Sequence, residues 1–364
     1  MNPLTIQAGP AALAHLRKHG LRAQDVAVIP AAAGGPKGLI FQKLDQWLFG
    51  EWLPAAPRPR TLIGASIGAW RMAAACCADP AAAFQRLGDL YSEQRYPSKP
   101  SARFVSDTCE QLLAGVIGGH EEEIVRHPQY RLQVLAARGR RLLHAPAGNA
   151  AIGAGFGLAT LGNLAARSQL ARHLARVVIG DGRDPLPWLH EKFDAFHTQF
   201  APLAAGNLGA ALLASGTLPF TMAPVRGIPG APPGTYWDGG LIDYHLALPY
   251  SRIGGDAGGG LVLYPHFGAE IVPGWLDKAL PWRRAHRGRN RGWLDNMLLV
   301  SPSPAFLQTL ARAKLPDRKD FHHYGLDHDA RIRAWKRAMA EGERLRDALA
   351  AFAAKPDPGL VQPL

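Results

Sequence analysis

Residues Arg60–Trp70 read Arg-Thr-Leu-Ile-Gly-Ala-Ser-Ile-Gly-Ala-Trp, and this stretch decides the fold. A short apolar run enters Gly64–Gly68, and a run of small residues, Ala69–Cys77, leaves it. The pattern predicts a strand, a sharp turn and a helix, with Ser66 exposed at the apex of the turn. Helix-end N–H groups there would favour the negative charge that develops during acyl transfer. A plain glycine-rich turn between a strand and a helix is the alternative interpretation.

The segment before this turn predicts a second strand–loop–helix unit. Asp25–Ile29 is a compact apolar run and reads as the first strand, and it leads into a glycine loop, Pro30–Gly38. A helix is predicted from about Leu39 to Leu48. Together the two units form a βαβα arrangement, which predicts an α/β protein with a mainly parallel central sheet.

The rest of the chain predicts further helices and strands of the same kind. No internal repeat and no domain linker interrupts them, so we predict a single α/β domain over residues 1–364. Its motif-bearing core covers about residues 25–265, and a basic loop with a C-terminal helical extension covers about 266–364. The predicted elements are helices at residues 9–20, within Asp79–His127, and at Ser168–Ala175, Leu203–Ala214 and Asp329–Ala353, with strands at Tyr130–Ala136 and Leu261–Tyr264.

Composition limits the classes of protein that this chain can belong to. With 47% hydrophobic and 19% charged residues it has the make-up of a globular protein. The net charge of +12 suits nucleic acid, an anionic membrane surface or an acidic substrate. No nucleic-acid-reading motif accompanies the charge, so we expect no nucleic-acid partner. The 3 cysteines lack metal-ligand spacing, and neither a secretory signal nor a membrane span is evident, which together predict a cytoplasmic protein.

An acyl-transfer serine needs backbone donors for the oxyanion and a base for its proton. Gly34 and Gly35 can supply donors because backbone N–H groups without a Cβ approach a substrate oxygen closely, and the N–H of Ile67 can add another. The alternative interpretation of this loop is a phosphate-binding turn, although it lacks the Gly-Lys-Ser/Thr ending of a P-loop. Lys37 would be a positive accessory or an ordinary solvated lysine.

Asp238 is the candidate base. It follows an aromatic pair, Tyr236–Trp237, that could remove it from water, and two glycines follow it. An aspartate with a pKa near 4 is a weak base, so burial would have to raise that pKa. Taken alone, an Asp-Gly-Gly sequence is commonly a turn.

The order of these segments resembles the patatin-like phospholipase family. That family has a glycine-rich loop after the first strand, here Ala33–Gly38, and then a nucleophile turn, here Gly64–Gly68. An Ala-Ser-x-x-x-Pro-like segment follows, here Ala214–Pro219, and then Asp-Gly-Gly, here Asp238–Gly240. The likeness covers roughly residues 25–265, and the chain beyond residue 266 matches no pattern of the family.

The resemblance implies a serine–aspartate dyad on a three-layer αβα fold that hydrolyses lipid acyl esters without a metal or a cofactor. Ser66 would be the nucleophile and Asp238 the base. Two departures bear on the oxyanion loop, since Ala33 replaces the first glycine of the loop and Ala32 replaces an aspartate. The implied backbone donors are Gly34, Gly35 and Ile67, and the glycines that would support the turns are Gly38, Gly64, Gly68, Gly239 and Gly240.

Two rival functions remain open at this stage. A conventional triad would use His266, which follows Asp238 in the order serine, aspartate, histidine. A catalytically silent lipid-binding or membrane-adaptor protein would also suit the resemblance. The presence of both Ser66 and Asp238 disfavours it, because a silent protein has no chemical need for the two.

Residues 281–293 carry five arginines between two tryptophans. Cations beside interfacial tryptophans suit an anionic lipid surface, which predicts peripheral contact with the inner membrane face. The alternative is a solvated basic loop. Ala145–Leu161 is either an apolar lid over the site or a packing element rich in small residues.

Overall fold

The computed structural model of the protein describes residues 2–253 and 260–364. Its strands are β1 (Leu4–Ala8), β2 (Val26–Ala31), β3 (Arg60–Ala65), β4 (Tyr130–Gly139), β5 (Leu174–Gly180), β6 (Thr198–Pro202), β7 (Val225–Arg226), β8 (Thr235–Asp238), β9 (Leu261–Pro265), β10 (Met297–Pro302) and β11 (Val361–Pro363). Its helices are α1 (Pro10–His19), α2 (Gln42–Trp47), α3 (Ile67–Ala75), α4 (Pro80–Ser92), α5 (Ala102–Ile117), α6 (Glu121–Val125), α7 (Asn149–Ala165), α8 (Arg167–Leu170), α9 (Pro187–His190), α10 (Ala205–Gly216), α11 (Gly240–Asp243), α12 (Pro304–Leu307), α13 (Lys319–Tyr324), α14 (His328–Glu341) and α15 (Glu343–Ala354).

All the strands join one mixed, mainly parallel sheet. The order across it is β11-β1-β10-β9-β2-β3-β4-β5-β6, and β8 pairs with β4 and β7. The centre is parallel, because β2 pairs parallel to both β9 and β3, and β3 parallel to β4. The carboxyl ends of β2 and β3 therefore meet at the same edge, where ligands bind in sheets of this type. The predicted α/β fold is confirmed.

Helices cover both faces of the sheet. Successive residues of a strand point to opposite faces, and in β8 the side chain of Tyr236 joins the large core whereas that of Trp237 joins a second, smaller core. Leu208 and Leu212 of α10 lie in the large core, and Phe156 of α7 lies in the smaller one. The sheet is thus the middle of three layers.

Several predicted elements differ from the observed ones. The predicted helix at Ser168–Ala175 is wrong in its second half, because α8 ends at Leu170 and β5 begins at Leu174. The predicted helix at Asp329–Ala353 is divided at Gly342, where a Cβ would lie 2.3 Å from the carbonyl oxygen of Ile40. The C-terminal extension, predicted to be helical, also contains the strands β10 and β11, which join the central sheet.

Within the two described ranges, no helix has the length and apolar character needed to cross a bilayer.

Candidate active site

Ser66 lies at a strained turn between β3 and α3. Its backbone has φ 57° and ψ −133°, in the left-handed region that costs a residue with a Cβ on the order of 1–3 kcal/mol. Neighbouring chain segments approach too closely for side chains on the flanking glycines. A Cβ on Gly68 would lie 1.9 Å from the carbonyl oxygen of Ala31, and one on Gly64 would lie 2.5 Å from the nitrogen of Ala69. The predicted strand–turn–helix is confirmed, but Ser66 is buried rather than exposed, with 8% of its surface accessible, because it lies at the bottom of two cavities.

Strand β4 brings Asp238 next to Ser66. The end of β3 lies opposite Leu135 of β4, and Asp238, at the end of β8, lies opposite the next residue, Ala136. Since β8 runs antiparallel to β4 and β3 runs parallel to it, the ends of β3 and β8 meet head-on beside β4. The side chains of Ser66 and Asp238 consequently line the same small cavity, which also contains Gly34.

Ser215, at the end of α10, connects the two segments. Its hydroxyl donates a hydrogen bond to the carbonyl oxygen of Leu135 at 2.6 Å and accepts one from the N–H of Ser66 at 2.9 Å. Its own carbonyl oxygen accepts a hydrogen bond from the N–H of Gly239 at 3.0 Å. Ser215 belongs to the Ala214–Pro219 segment that resembles the family, but the sequence alone predicted no role for it.

The carboxylate of Asp238 is almost completely buried, with 3% of its surface exposed. Burial raises the pKa of this carboxyl, and a hydrogen bond from Ser66 and the positive charge of Arg318 act in the opposite direction. The N–H of Gly240 also donates to its Oδ1 at 2.7 Å, and Lys278 contributes a further positive charge. An aspartate with a raised pKa is a stronger proton acceptor than a solvated one.

The glycine loop after β2 faces this pair. Gly34 lines the small cavity with Ser66, and Gly35 lines a larger one that also reaches Ser66. Gly35 requires glycine because its φ is 57°, and the ring of Phe267 fills the space where a Cβ of Gly34 would lie. Ala33 fits without strain, since its φ is negative and its N–H donates to the carbonyl oxygen of Tyr244 at 2.9 Å.

Of the remaining predicted positions, Gly240 lines the small cavity and Ile67 lines the larger one. Ile67 is the first residue of α3, and a Cβ on Gly38 would lie 3.3 Å from its side chain. A Cβ on Gly239 would lie 2.2 Å from the carbonyl oxygen of Leu135, and one on Gly240 would lie 2.7 Å from the Cβ of Ala33. Close contacts with neighbouring backbone at Gly239 and with neighbouring side chains at Gly240 explain why these two positions are glycine.

A buried ion pair that the sequence analysis missed connects the helix after Ser66 to the glycine loop. The guanidinium of Arg71 on α3 contacts the carboxylate of Asp45 on α2 at 2.7 and 2.8 Å. Arg71 also lies over the ring of Phe41, at the end of the turn that follows Gly35. The pair joins α3, which follows Ser66, to α2, which follows the glycine loop, and so fixes the position of Ser66 relative to that loop.

The larger cavity has a volume of about 570 Å³ and opens from Ser66. Its walls are mainly apolar and aromatic, and they include Trp70, Tyr91 and Phe321. Phe321 and Arg318 come from the C-terminal part of the chain, where the sequence predicted functional roles only for His266 and the basic stretch 281–293. Single residues outside any motif gave no signal from which this contribution could be predicted.

His266 occupies a different environment. It is fully buried, its Nδ1 interacts with the carbonyl oxygen of Gly268, and its ring packs against that of His245 at 4.2 Å. Burial lowers the pKa of His266 to about 4. The groups acting on Asp238 in residues 2–253 and 260–364 are Ser66, Gly240 and cations, with no histidine among them. This geometry does not favour the triad with His266.

Two arginines of the basic stretch 281–293 form ion pairs within the protein. Trp282 is 65% exposed, but Arg283 contacts Asp277 at 2.9 Å and Arg284 contacts Glu270 at 2.8 Å. The side chains of Arg289 and Arg291 lie outside the described residues. The predicted apolar lid is mostly helix α7, which packs through Phe156 against Trp237.

No group of three or more His, Cys, Asp or Glu side chains in the described ranges is placed to hold a metal ion.

Comparison with known proteins identifies one family. A family model described as patatin-like phospholipase matches residues 34–248, while no curated protein matches the chain. The matched region is more than half of the chain, and it contains Gly34 and Gly35 of the glycine loop, Ser66, Ser215 and Asp238, which the fold brings together. The chain therefore belongs to the patatin-like phospholipase family, a family of lipid acyl hydrolases.

Proposed function

We propose that this protein is a serine hydrolase that cleaves carboxylic esters of lipids through an acyl-enzyme on Ser66, with Asp238 as the general base. The observation that carries the proposal is the meeting of β3 and β8 beside β4, which sets the Ser66 hydroxyl against the Asp238 carboxylate. A phospholipase A, a lysophospholipase and a simple esterase would all use this arrangement.

In the acylation step, the Asp238 carboxylate accepts the proton of the Ser66 hydroxyl as its oxygen attacks the acyl carbon. The resulting oxyanion would be stabilised by the backbone N–H groups of Gly34, Gly35 and Ile67. Collapse of this intermediate breaks the ester bond, and the leaving alcohol takes the proton from Asp238. Water activated by Asp238 then hydrolyses the acyl-enzyme and regenerates the Ser66 hydroxyl.

The larger cavity is suited to the acyl chain. Its aromatic walls begin at Ser66, so a chain inside it would leave the ester carbon next to the serine oxygen. Pockets for small molecules are commonly apolar with a few polar groups at the reacting end. The backbone donors and Asp238 lie at that end.

The test is covalent labelling with a fluorophosphonate and turnover of p-nitrophenyl esters by the wild type and three variants. Ser66→Ala and Asp238→Asn are expected to lose turnover, and Ser66→Ala to lose labelling, whereas His266→Gln keeps both. Loss of turnover in a folded His266→Gln would instead favour the triad. A wild type that neither labels nor hydrolyses any ester, even on anionic vesicles, would favour the silent lipid-binding protein.

We also propose that the protein is cytoplasmic and meets the inner membrane face through Trp282 and α7. Arg283 joins these elements, because its guanidinium donates hydrogen bonds to the carbonyl oxygens of Asn163 at 2.7 Å and Leu164 at 3.2 Å. Beside the exposed Trp282, Leu161 is 65% and Leu164 is 54% exposed. Exposed apolar side chains next to arginines suit an anionic lipid surface.

A further inference from the structure

Three cations converge on the predicted active site. The positive charges of Lys278 and Arg318 both act to lower the pKa of the Asp238 carboxyl. Lys37, at the end of the glycine loop, repels Lys278 and lowers its pKa. Arg318 lines the small cavity with Ser66, and its Nε lies 3.6 Å from the position of a Cβ on Gly35. The cations come from distant parts of the chain, and the fold brings them to one point.

The carboxylates near this cluster are already paired with other cations. Asp277 contacts Arg167 at 2.6 Å and Arg283 at 2.9 Å, and Asp317 contacts Lys314 at 3.1 Å. In the part of the chain that the structure describes, neither Lys278 nor Arg318 has a carboxylate within ion-pair distance. The site therefore carries excess positive charge beside the one carboxylate that the reaction uses.

Aromatic rings fix the two cations. The ammonium of Lys278 lies 4.0 Å from the centre of the Tyr244 ring and 5.3 Å from that of Trp275, and the guanidinium of Arg318 lies 5.1 Å from the centre of the Trp275 ring. The faces of these rings attract the cations but, unlike a carboxylate, do not neutralise their charge. Partial removal from water, with repulsion from Arg318 and Lys37, lowers the pKa of Lys278 to about 7. A bound anion would relieve that repulsion.

We propose that Lys278 and Arg318 form an anion-binding subsite beside Ser66, which holds the phosphate group of an anionic acyl-lipid substrate. This inference rests on the proposed hydrolysis of lipid esters. A guanidinium binds phosphate through two parallel hydrogen bonds, and an ammonium adds a point charge.

The two cavities that meet at Ser66 decide where such a substrate would lie. The large apolar cavity takes the acyl chain, and Arg318 lines both cavities. The small one, with a volume of about 10 Å³, is also lined by Tyr244 and Trp275, the rings that contact the two cations. With the ester carbon at Ser66 and the acyl chain in the large cavity, the alcohol portion with its phosphate would lie within reach of Arg318, and Lys278 contacts the same Trp275 ring as Arg318. Both cations lie beyond residue 248, where the match to the family ends.

The experiment compares two substrates that differ only in the phosphate, 1-decanoylglycerol 3-phosphate and 1-decanoylglycerol. We expect the wild type to prefer the first, and Lys278→Met and Arg318→Gln each to lower the ratio of the two kcat/KM values at least about tenfold. Lys319→Met is the matched control, because it removes the same charge from the exposed neighbour of Arg318 and should leave the ratio unchanged.

Other results would overturn the subsite. An equal loss on both substrates would mean that Lys278 and Arg318 serve the oxyanion or the fold, and a wild type with no preference would mean that no phosphate is recognised. If the wild type hydrolyses neither ester, the proposed function fails, and calorimetric titration with sn-glycerol 3-phosphate tests the subsite by itself. Binding that Lys278→Met weakens would support it, and no binding would refute it. Inorganic phosphate that binds as tightly as sn-glycerol 3-phosphate would contradict the assignment to a lipid headgroup.

Discussion

Replacing Ser215 by alanine tests whether the hydrogen bonds of its hydroxyl, rather than the packing around it, hold the predicted active site together. The Ser215 hydroxyl is fully buried and is shared by the N–H of Ser66 and the carbonyl oxygen of Leu135. Ser215→Ala leaves both backbone groups without this partner in a region closed to water. The unfolded chain loses nothing, because water satisfies the same groups there.

The expected loss follows from these two groups. A buried polar group left without a partner costs about 1–3 kcal/mol, so with two such groups Ser215→Ala should lower the free energy of unfolding by about 2–6 kcal/mol. Ser215→Ala should also lower the turnover rate of the protein that remains folded. Ser66 is held at φ 57°, and without the bond to its N–H the turn can relax and move the hydroxyl away from Asp238.

Ser301 on β10 provides the matched control. It is 1% exposed, and its hydroxyl has no hydrogen-bond partner within the described part of the chain, so Ser301→Ala removes the same atom from a similar depth without breaking a bond. Urea unfolding and ester hydrolysis are measured for both variants. If Ser215→Ala is no less stable and no less active than Ser301→Ala, the connection between α10, β4 and the Ser66 turn does not hold the site.

Three further predictions follow from the same geometry. Burial raises the pKa of Asp238 in the folded state, so the stability that comes from its bound proton is present below the pKa of the unfolded chain and is lost as pH rises through the pKa of the folded protein. Asp238→Asn, which carries no charge, should therefore raise the melting temperature at pH 7. The difference from the wild type should disappear at about pH 3, and the variant should show no turnover at either pH. Gly68→Ala should cost about 1–3 kcal/mol or prevent folding, whereas Gly209→Ala on α10, where a Cβ meets no atom within 4 Å, should stabilise by up to about 1 kcal/mol in thermal unfolding. Trp282→Ala with Leu161→Ser should weaken sedimentation with anionic vesicles without changing hydrolysis of a soluble ester, and equal sedimentation would refute the membrane contact.

The central part of the fold could be predicted because its information is local. The segments 25–48 and 60–77 each place an apolar run, a glycine turn and a helix next to one another, and steric limits at the turn select glycine. The positions of the four family segments around Ser66 were then implied by the resemblance. None of this required knowledge of which distant residues touch.

Elements that depend on distant partners could not be predicted in this way. Strand β5 was missed because Arg176 interrupts its apolar pattern, yet this arginine is buried and pairs with Asp243 and Asp194, both at 2.7 Å. Strand β1 gains its place by pairing with β10 and β11, which lie about 300 residues or more later in the chain. The charge on Arg176 looks like a surface feature until its two partners are known.

The C-terminal part of the chain is where the substrate would be selected. In the proposed mechanism, Ser66 would attack any acyl ester that reaches it, so the residues that decide which ester arrives would lie around it. Phe321 and Arg318 line the larger cavity, Arg318 and Trp275 line the small one, and Lys278 contacts the ring of Trp275. All four lie after residue 248, beyond the segment that matches the family. If they bind the alcohol portion of the substrate, exchanging this part of the chain would change the preferred lipid and leave the acyl-transfer chemistry in place.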